Sequence, residues 1–113
     1  MIEFGDGFES ERVAMSRVRW LPEAEEDYEE GYEWYFEQSE RAAEGLERAV
    51  DGAIQKIATS PETYPHCGPN HQLVTMRPYP YRIIYRVDRN EIIIIAVVHG
   101  SRQPGFWRTR DRS

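Results

Sequence analysis

Seven consecutive apolar residues, Ile92, Ile93, Ile94, Ile95, Ala96, Val97 and Val98, constrain the fold of this chain more than any other feature. Side chains alternate between the two faces of a strand, so a run without a polar position belongs to a strand covered on both faces. The run is far shorter than the roughly 18 residues of a membrane-crossing helix. The strand, read as 91–99, therefore sits at the centre of a sheet, with strands beside it and a layer on each face.

Two further strands lie just before it, at 72–77 and 81–87. They are separated by Pro78, Tyr79 and Pro80, while Asp88, Arg89 and Asn90 make the turn into 91–99, so the three should form a meander. Near the other end, Arg17, Val18, Arg19 and Trp20 alternate charge with apolar bulk as a half-buried strand does. Pro22 then suits a first helical turn, and Glu23, Glu25, Glu26 and Asp27 place negative charge at the positive end of a helix dipole. This predicts a helix over 22–38 whose inner face carries Ala24, Tyr28, Gly31, Tyr32 and Tyr35. Ser39 can cap a second helix over 40–59, with an apolar stripe of Ala42, Leu46, Ala49, Val50, Ala53, Ile54 and Ile57. So short a link makes the two helices antiparallel.

The expected fold is α+β in the order β-α-α-β-β-β, a helical hairpin packed on a small antiparallel sheet. One domain spans 16–113, and residues 1–15, without helix or strand periodicity, form a flexible extension. The hairpin covers one face of the central strand. The other face is left either to the tail after Gly100, folding back, or to a partner.

The formal charge of −6 hides an asymmetry. Residues 1–63 hold 17 acidic and 6 basic side chains, whereas 64–113 hold 3 and 8, so the first half stands at −11 and the second at +5. Either the second half binds anions, or the halves neutralise each other where they pack. On the first helix, pairs such as Glu25/Glu29 and Glu29/Glu33 repel one another, which fits either a plainly solvated face or a basic surface opposite, with the arginines of the second half as its candidates. The single cysteine, Cys67, cannot close an intramolecular disulfide, and no leader or membrane anchor is visible, so a cytoplasmic location is expected.

Candidate chemistry gathers in the second half. Alternation along 81–87 puts Tyr81, Ile83, Tyr85 and Val87 on one face and Arg82 and Arg86 on the other, where two guanidiniums could grip phosphate or carboxylate. His99, Ser101, Arg102, Trp107, Arg108 and Arg110 follow at the end of the central strand, where loops and tails commonly present binding groups. His99 beside an arginine could protonate a leaving oxygen while the guanidinium stabilises a developing phosphorane, with no metal required. His66, Cys67 and His71 match no standard zinc spacing, so no metal site is expected. The chain has no phosphate-binding glycine loop, serine elbow or Cys-x-x-Cys pair, and no cofactor is expected.

The element order, Pro61 after the second helix, the segment from Arg77 through Tyr81, Arg82, Tyr85 and Arg86 to Val87, and an apolar strand ending in His99-Gly100-Ser101-Arg102 together resemble the RelE/ParE toxin superfamily over about residues 16–110. The resemblance implies a toxin of a type II toxin–antitoxin pair, masked by a cognate antitoxin and assembling as a homodimer or a toxin–antitoxin hetero-oligomer. Its target would be DNA gyrase, as in the ParE-like branch, or the ribosome and its mRNA, as in the RelE-like nucleases. For a nuclease the resemblance puts Arg82 at the place of a catalytic arginine and Arg102 near a second, and His99, read above as a proton donor, completes the candidate catalytic set; the candidate binding residues are Arg77, Tyr81, Arg82, Arg86, Arg102, Trp107 and Arg108. The nucleases also use lysines and a late acid–base group, whereas Lys56 is the only lysine here and Trp107 stands near the place of the late group. Tryptophan cannot move a proton, so the gyrase-directed branch is favoured. A non-toxic binding module or corepressor is the reading from a different class.

Overall fold

A computed structural model describes residues 17–102 and 105–111. The expected extension at 1–15 lies outside the described residues. The elements are β1 (Arg17–Trp20), α1 (Pro22–Gln38), α2 (Glu40–Thr59), β2 (Gln72–Thr75), β3 (Tyr81–Asp88), β4 (Glu91–His99) and a short 3-10 helix, Phe106–Arg110.

Local chemistry accounts for the helix ends. Pro22 opens α1 with Glu23 and Glu25 in its first turn, and Ser39 serves both helices. Its backbone N–H donates to the Tyr35 carbonyl to close α1, and its hydroxyl accepts from the Ala42 N–H to open α2. One residue thus satisfies orphan groups on two helices and sets the tight reversal between them. The buried face of α2 is Ala43, Leu46, Val50, Ala53, Ile57 and Ala58, so the expected stripe begins at Ala43, with Ala42 at its margin.

The sheet order is β1-β4-β3-β2, which puts the apolar strand inside. It corrects the expectation of a purely antiparallel sheet, because β1 runs parallel to β4 while the other pairs are antiparallel. A turn forces neighbouring strands to be antiparallel, but β1 reaches the sheet through the helical hairpin and is under no such constraint. β2 also ends two residues early, at Thr75, because Met76 and Tyr79 enter a turn.

β3 and β4 fall out of step once. Ile84 pairs with Ala96 and Tyr85 with Ile94, leaving Ile95 as an extra residue, a β-bulge. Its consequence is a change of phase along β4. Ile92, Ile94 and Val97 join the core under the helices, with Leu46, Val50, Ile57, Ile83 and Tyr85. Ile93, Ile95, Ala96 and Val98 face the other way, with Ile84 and Trp107. The second layer over the central strand is therefore the chain's own tail, as one of the two expectations had it.

Tyr85 is fully buried and its hydroxyl donates to the Pro61 carbonyl, which also accepts from the Gln72 side chain at 2.8 Å. Burial pushes the Tyr85 phenol up to about 12, with Tyr64 adding to the shift. Tyr28 also stands at about 12, through burial and then the neighbouring Glu47 and Asp51. A fold that favours the neutral phenol keeps this contribution in full below the unfolded tyrosine value of about 10 and loses it as pH climbs through 12. Phenolate absorbance should therefore show Tyr28 and Tyr85 ionising late, and the urea midpoint should fall across that same alkaline window.

Candidate functional site

The bulge decides which candidate residues meet. Counted from Ile92 by strict alternation, His99 would share a face with Arg82. With Ile95 inserted, Arg82 pairs with Val98 and Tyr81 with His99, so His99 lies on the helix side and Arg82 on the tail side. The expected trio of Arg82, His99 and Arg102 is therefore split across the sheet.

On the helix side, a cleft of about 490 Å³ lies between α1 and the adjoining ends of β3 and β4. Trp34, Tyr35 and Glu30 line it from α1, and Tyr81, His99 and Arg102 from the sheet. The Tyr81 ring meets His99 edge to face at 5.1 Å. It can reach this position because Gly31 has no side chain; a Cβ there would lie 3.0 Å from the Tyr81 hydroxyl. Burial raises the Tyr81 phenol above its ordinary value, with smaller contributions from Tyr35 and Glu30.

His99 is held in one tautomer. Its Nδ1 accepts the Ser101 backbone N–H at 3.0 Å and lies 2.7 Å from the Ser101 hydroxyl. A backbone N–H can only donate, so the ring proton sits on Nε2. Arg102 is exposed and lies over the Phe106 ring at 3.8 Å, a cation–π contact that ties the start of the tail to its 3-10 helix.

On the tail side, a smaller pocket of about 250 Å³ is bounded by Arg82, Arg108, Cys67 and Trp107, with Leu73, Ile84 and Val98 as its floor. Arg108 donates to the Cys67 carbonyl at 3.1 Å and lies over the Trp107 ring at 4.7 Å. Trp107, only 4% exposed, acts as a core residue. Arg86 is committed elsewhere: its Nε and Nη2 donate to the two carboxylate oxygens of Asp111 at 2.7 and 3.2 Å, and His71 Nε2 meets the same carboxylate at 2.8 Å. Arg77 is exposed in the turn after β2, away from both recesses.

The basic surface that the α1 carboxylates invite is present at a single point among the described residues. Arg110 donates to both oxygens of Asp27, at 2.6 and 3.0 Å, and also to the Ile95 carbonyl at 3.2 Å. Asp27 accepts the Val97 N–H at 3.0 Å as well. β1 stops beside Ile94, so Asp27 and Arg110 stand where a longer strand would have paired with β4. They also join α1 to the tail around the open edge of the sheet. Sequence reading passed over Asp27, one acid among eight on α1, and the available signal was its position on the Ala24–Gly31 side of the helix. Asp111 and His71 carried no comparable mark. Among the described residues, no group of three or more His, Cys, Asp or Glu is placed to hold a metal, and no helix is long and apolar enough to cross a membrane.

Comparison with known proteins identifies the family. Residues 18–104 match the family model described as the ParE toxin of the type II toxin–antitoxin system parDE. The chain belongs to the ParE toxin family. Solved structures agree in fold. A chain of the chromosomal ParDE toxin–antitoxin system from P. aeruginosa is similar with a TM-score of 0.65 at 19% identity, covering 75% of this chain and 96% of that one. A mutant of E. coli toxin RelE in the free state gives 0.57 at 15% identity, with 86% and 94% covered. The YoeB dimer from Staphylococcus aureus gives 0.53 at 18%, with 76% and 98% covered. No curated protein sequence matches. The matched segment of this ParE-family toxin runs from Val18 in β1 past His99 and Arg102, so it contains both recesses except for Gly105, Trp107 and Arg108.

Proposed function

We propose that this ParE-family toxin poisons DNA gyrase in the cytoplasm, is neutralised there by a cognate antitoxin, and does not cut mRNA. The family assignment supports the first part. The observation that carries the last is the bulge at Ile95, which leaves Arg82 and His99 on opposite faces of the sheet. General acid catalysis with electrostatic stabilisation needs the proton donor and the guanidinium within reach of one phosphate. Trp107, buried as a core residue, offers no proton in place of the late acid–base group of the nucleases.

Pulse labelling in the minutes after induction, in a bacterial host lacking the antitoxin, separates the readings. Thymidine incorporation should fail first, and purified gyrase should accumulate cleaved DNA when this chain is added. Methionine incorporation failing first, with mRNA cleavage abolished by Arg82→Ala, would replace this reading with the nuclease. Unimpaired growth and intact gyrase would leave a binding module or corepressor.

A further inference from the structure

The ionic partners of the arginines divide them into two groups. Arg19 pairs with Glu91, Arg86 with Asp111 and Asp88, and Arg110 with Asp27. Arg82 and Arg108, which face the 250 Å³ pocket, have no carboxylate partner among the described residues. Arg82 is half-buried and Arg108 is exposed at the rim, so the pair presents two like charges above a floor of Leu73, Ile84 and Val98, and one anion between them would be attracted by both.

The pocket is built around this pair. Gly68 and Gly105 both have positive φ, at 157° and 80°. A Cβ on Gly68 would lie 3.1 Å from Arg108 Nη1, and one on Gly105 would lie 3.0 Å from its Nε. The two loop backbones are thus drawn in against the Arg108 guanidinium at positions that suit glycine. Burial pushes the Cys67 thiol up while Arg108 and then Arg82 pull it down, so the two charges act together at one wall of the recess.

Size and lining select among anions. Small-molecule sites usually occupy roughly 300–1,000 Å³, and this one is smaller, with room for one side chain. A nucleotide would seek a stacking surface, but Trp107 is 4% exposed and already lies against His71 and Arg108. Inorganic phosphate has no apolar body to set against Leu73, Ile84 and Val98. A carboxylate on an aliphatic stem satisfies both the guanidiniums and the floor.

We propose that the pocket between Arg82 and Arg108 binds an acidic side chain of a protein partner. The antitoxin implied by the family is the partner this contact suits, and only that assignment rests on the reading above.

The test is an NMR titration of the full-length, isotope-labelled chain with the blocked tripeptide acetyl-Leu-Glu-Leu-amide. The Nε–H signals of Arg82 and Arg108 and the indole N–H of Trp107 should shift together and saturate. Arg82→Gln and Arg108→Gln should each weaken binding about tenfold or more, the loss of one charge-assisted contact, while the exposed Arg89→Gln should bind as the parent does. Dispersed spectra of the variants establish that they are folded. Equal binding of acetyl-Leu-Gln-Leu-amide, tighter binding of inorganic phosphate at the same signals, or no shift with any probe would each overturn the proposal. The titration reads the purified chain and is indifferent to growth arrest, so its failure and that of the gyrase reading are separately visible.

Discussion

In urea, Asp27→Ala should unfold with about 3 kcal/mol less stability than the parent chain, because it leaves a desolvated guanidinium without its counter-charge. The Arg110 and Asp27 side chains are only 15% and 10% exposed, so water can do little to replace the lost contact. The same change removes the acceptor of the Val97 N–H on the open edge of β4. The pair raises the Arg110 guanidinium above its ordinary value, chiefly through the Asp27 hydrogen bonds, and without that partner the guanidinium still keeps its charge at neutral pH by its own basicity. Asp27→Asn keeps an acceptor for Val97 and should be milder. Asp27→Ala combined with Arg110→Ala should cost less than the sum of the two single changes, since the double variant buries no unpaired charge. Strictly additive losses would show that solvent screens the pair and that α1 and the tail are not joined through it.

Trp107→Ala should cost about 4 kcal/mol, in the range of large aromatic truncations in cores. Trp107 lies with Ile84, Ile93, Ile95, Ala96 and Val98 in the layer opposite the helices. Phe106 is only partly buried against the same layer, so Phe106→Ala should cost less. Removing the indole should also expose Ile93 and Ile95, which binding of a hydrophobic dye would report. A loss under about 1 kcal/mol would mean that the tail rests on the sheet without holding it. Asp27→Ala and Trp107→Ala act at two ends of one device, a tail anchored by an aromatic side chain on the sheet face and by an ion pair around its edge.

The two helices, and the four strands to within two residues, were legible because their signals are local. Pro22, Ser39 and Pro61 act on their own backbone and immediate neighbours, and the α2 stripe repeats within a single helix. The apolar run at 92–98 announced a central strand with two covered faces, and that requirement needed no knowledge of the rest of the chain. The candidate arginines were also identifiable as a group, since the charge asymmetry survives any fold.

Their partners were not legible. Arg82 and Arg86 occupy equivalent positions on one strand face, yet Arg86 is committed to Asp111, whose carboxylate His71 also meets, while Arg82 looks into a pocket beside Arg108. Nothing in the residues around them distinguishes the two; the distinction comes from where a tail more than fifteen residues away sets down Trp107 and Asp111.

By itself the amino-acid sequence determined the elements and the central place of β4, through short-range backbone chemistry and the periodicity of apolar residues, while the family showed only as a resemblance in its motifs. Only the tertiary structure decided the parallel β1, the layer made by the tail and the face on which His99 lies. A single inserted residue at Ile95 turns every later side chain of β4 to the opposite face, and in a run of identical apolar residues no position is marked as the extra one.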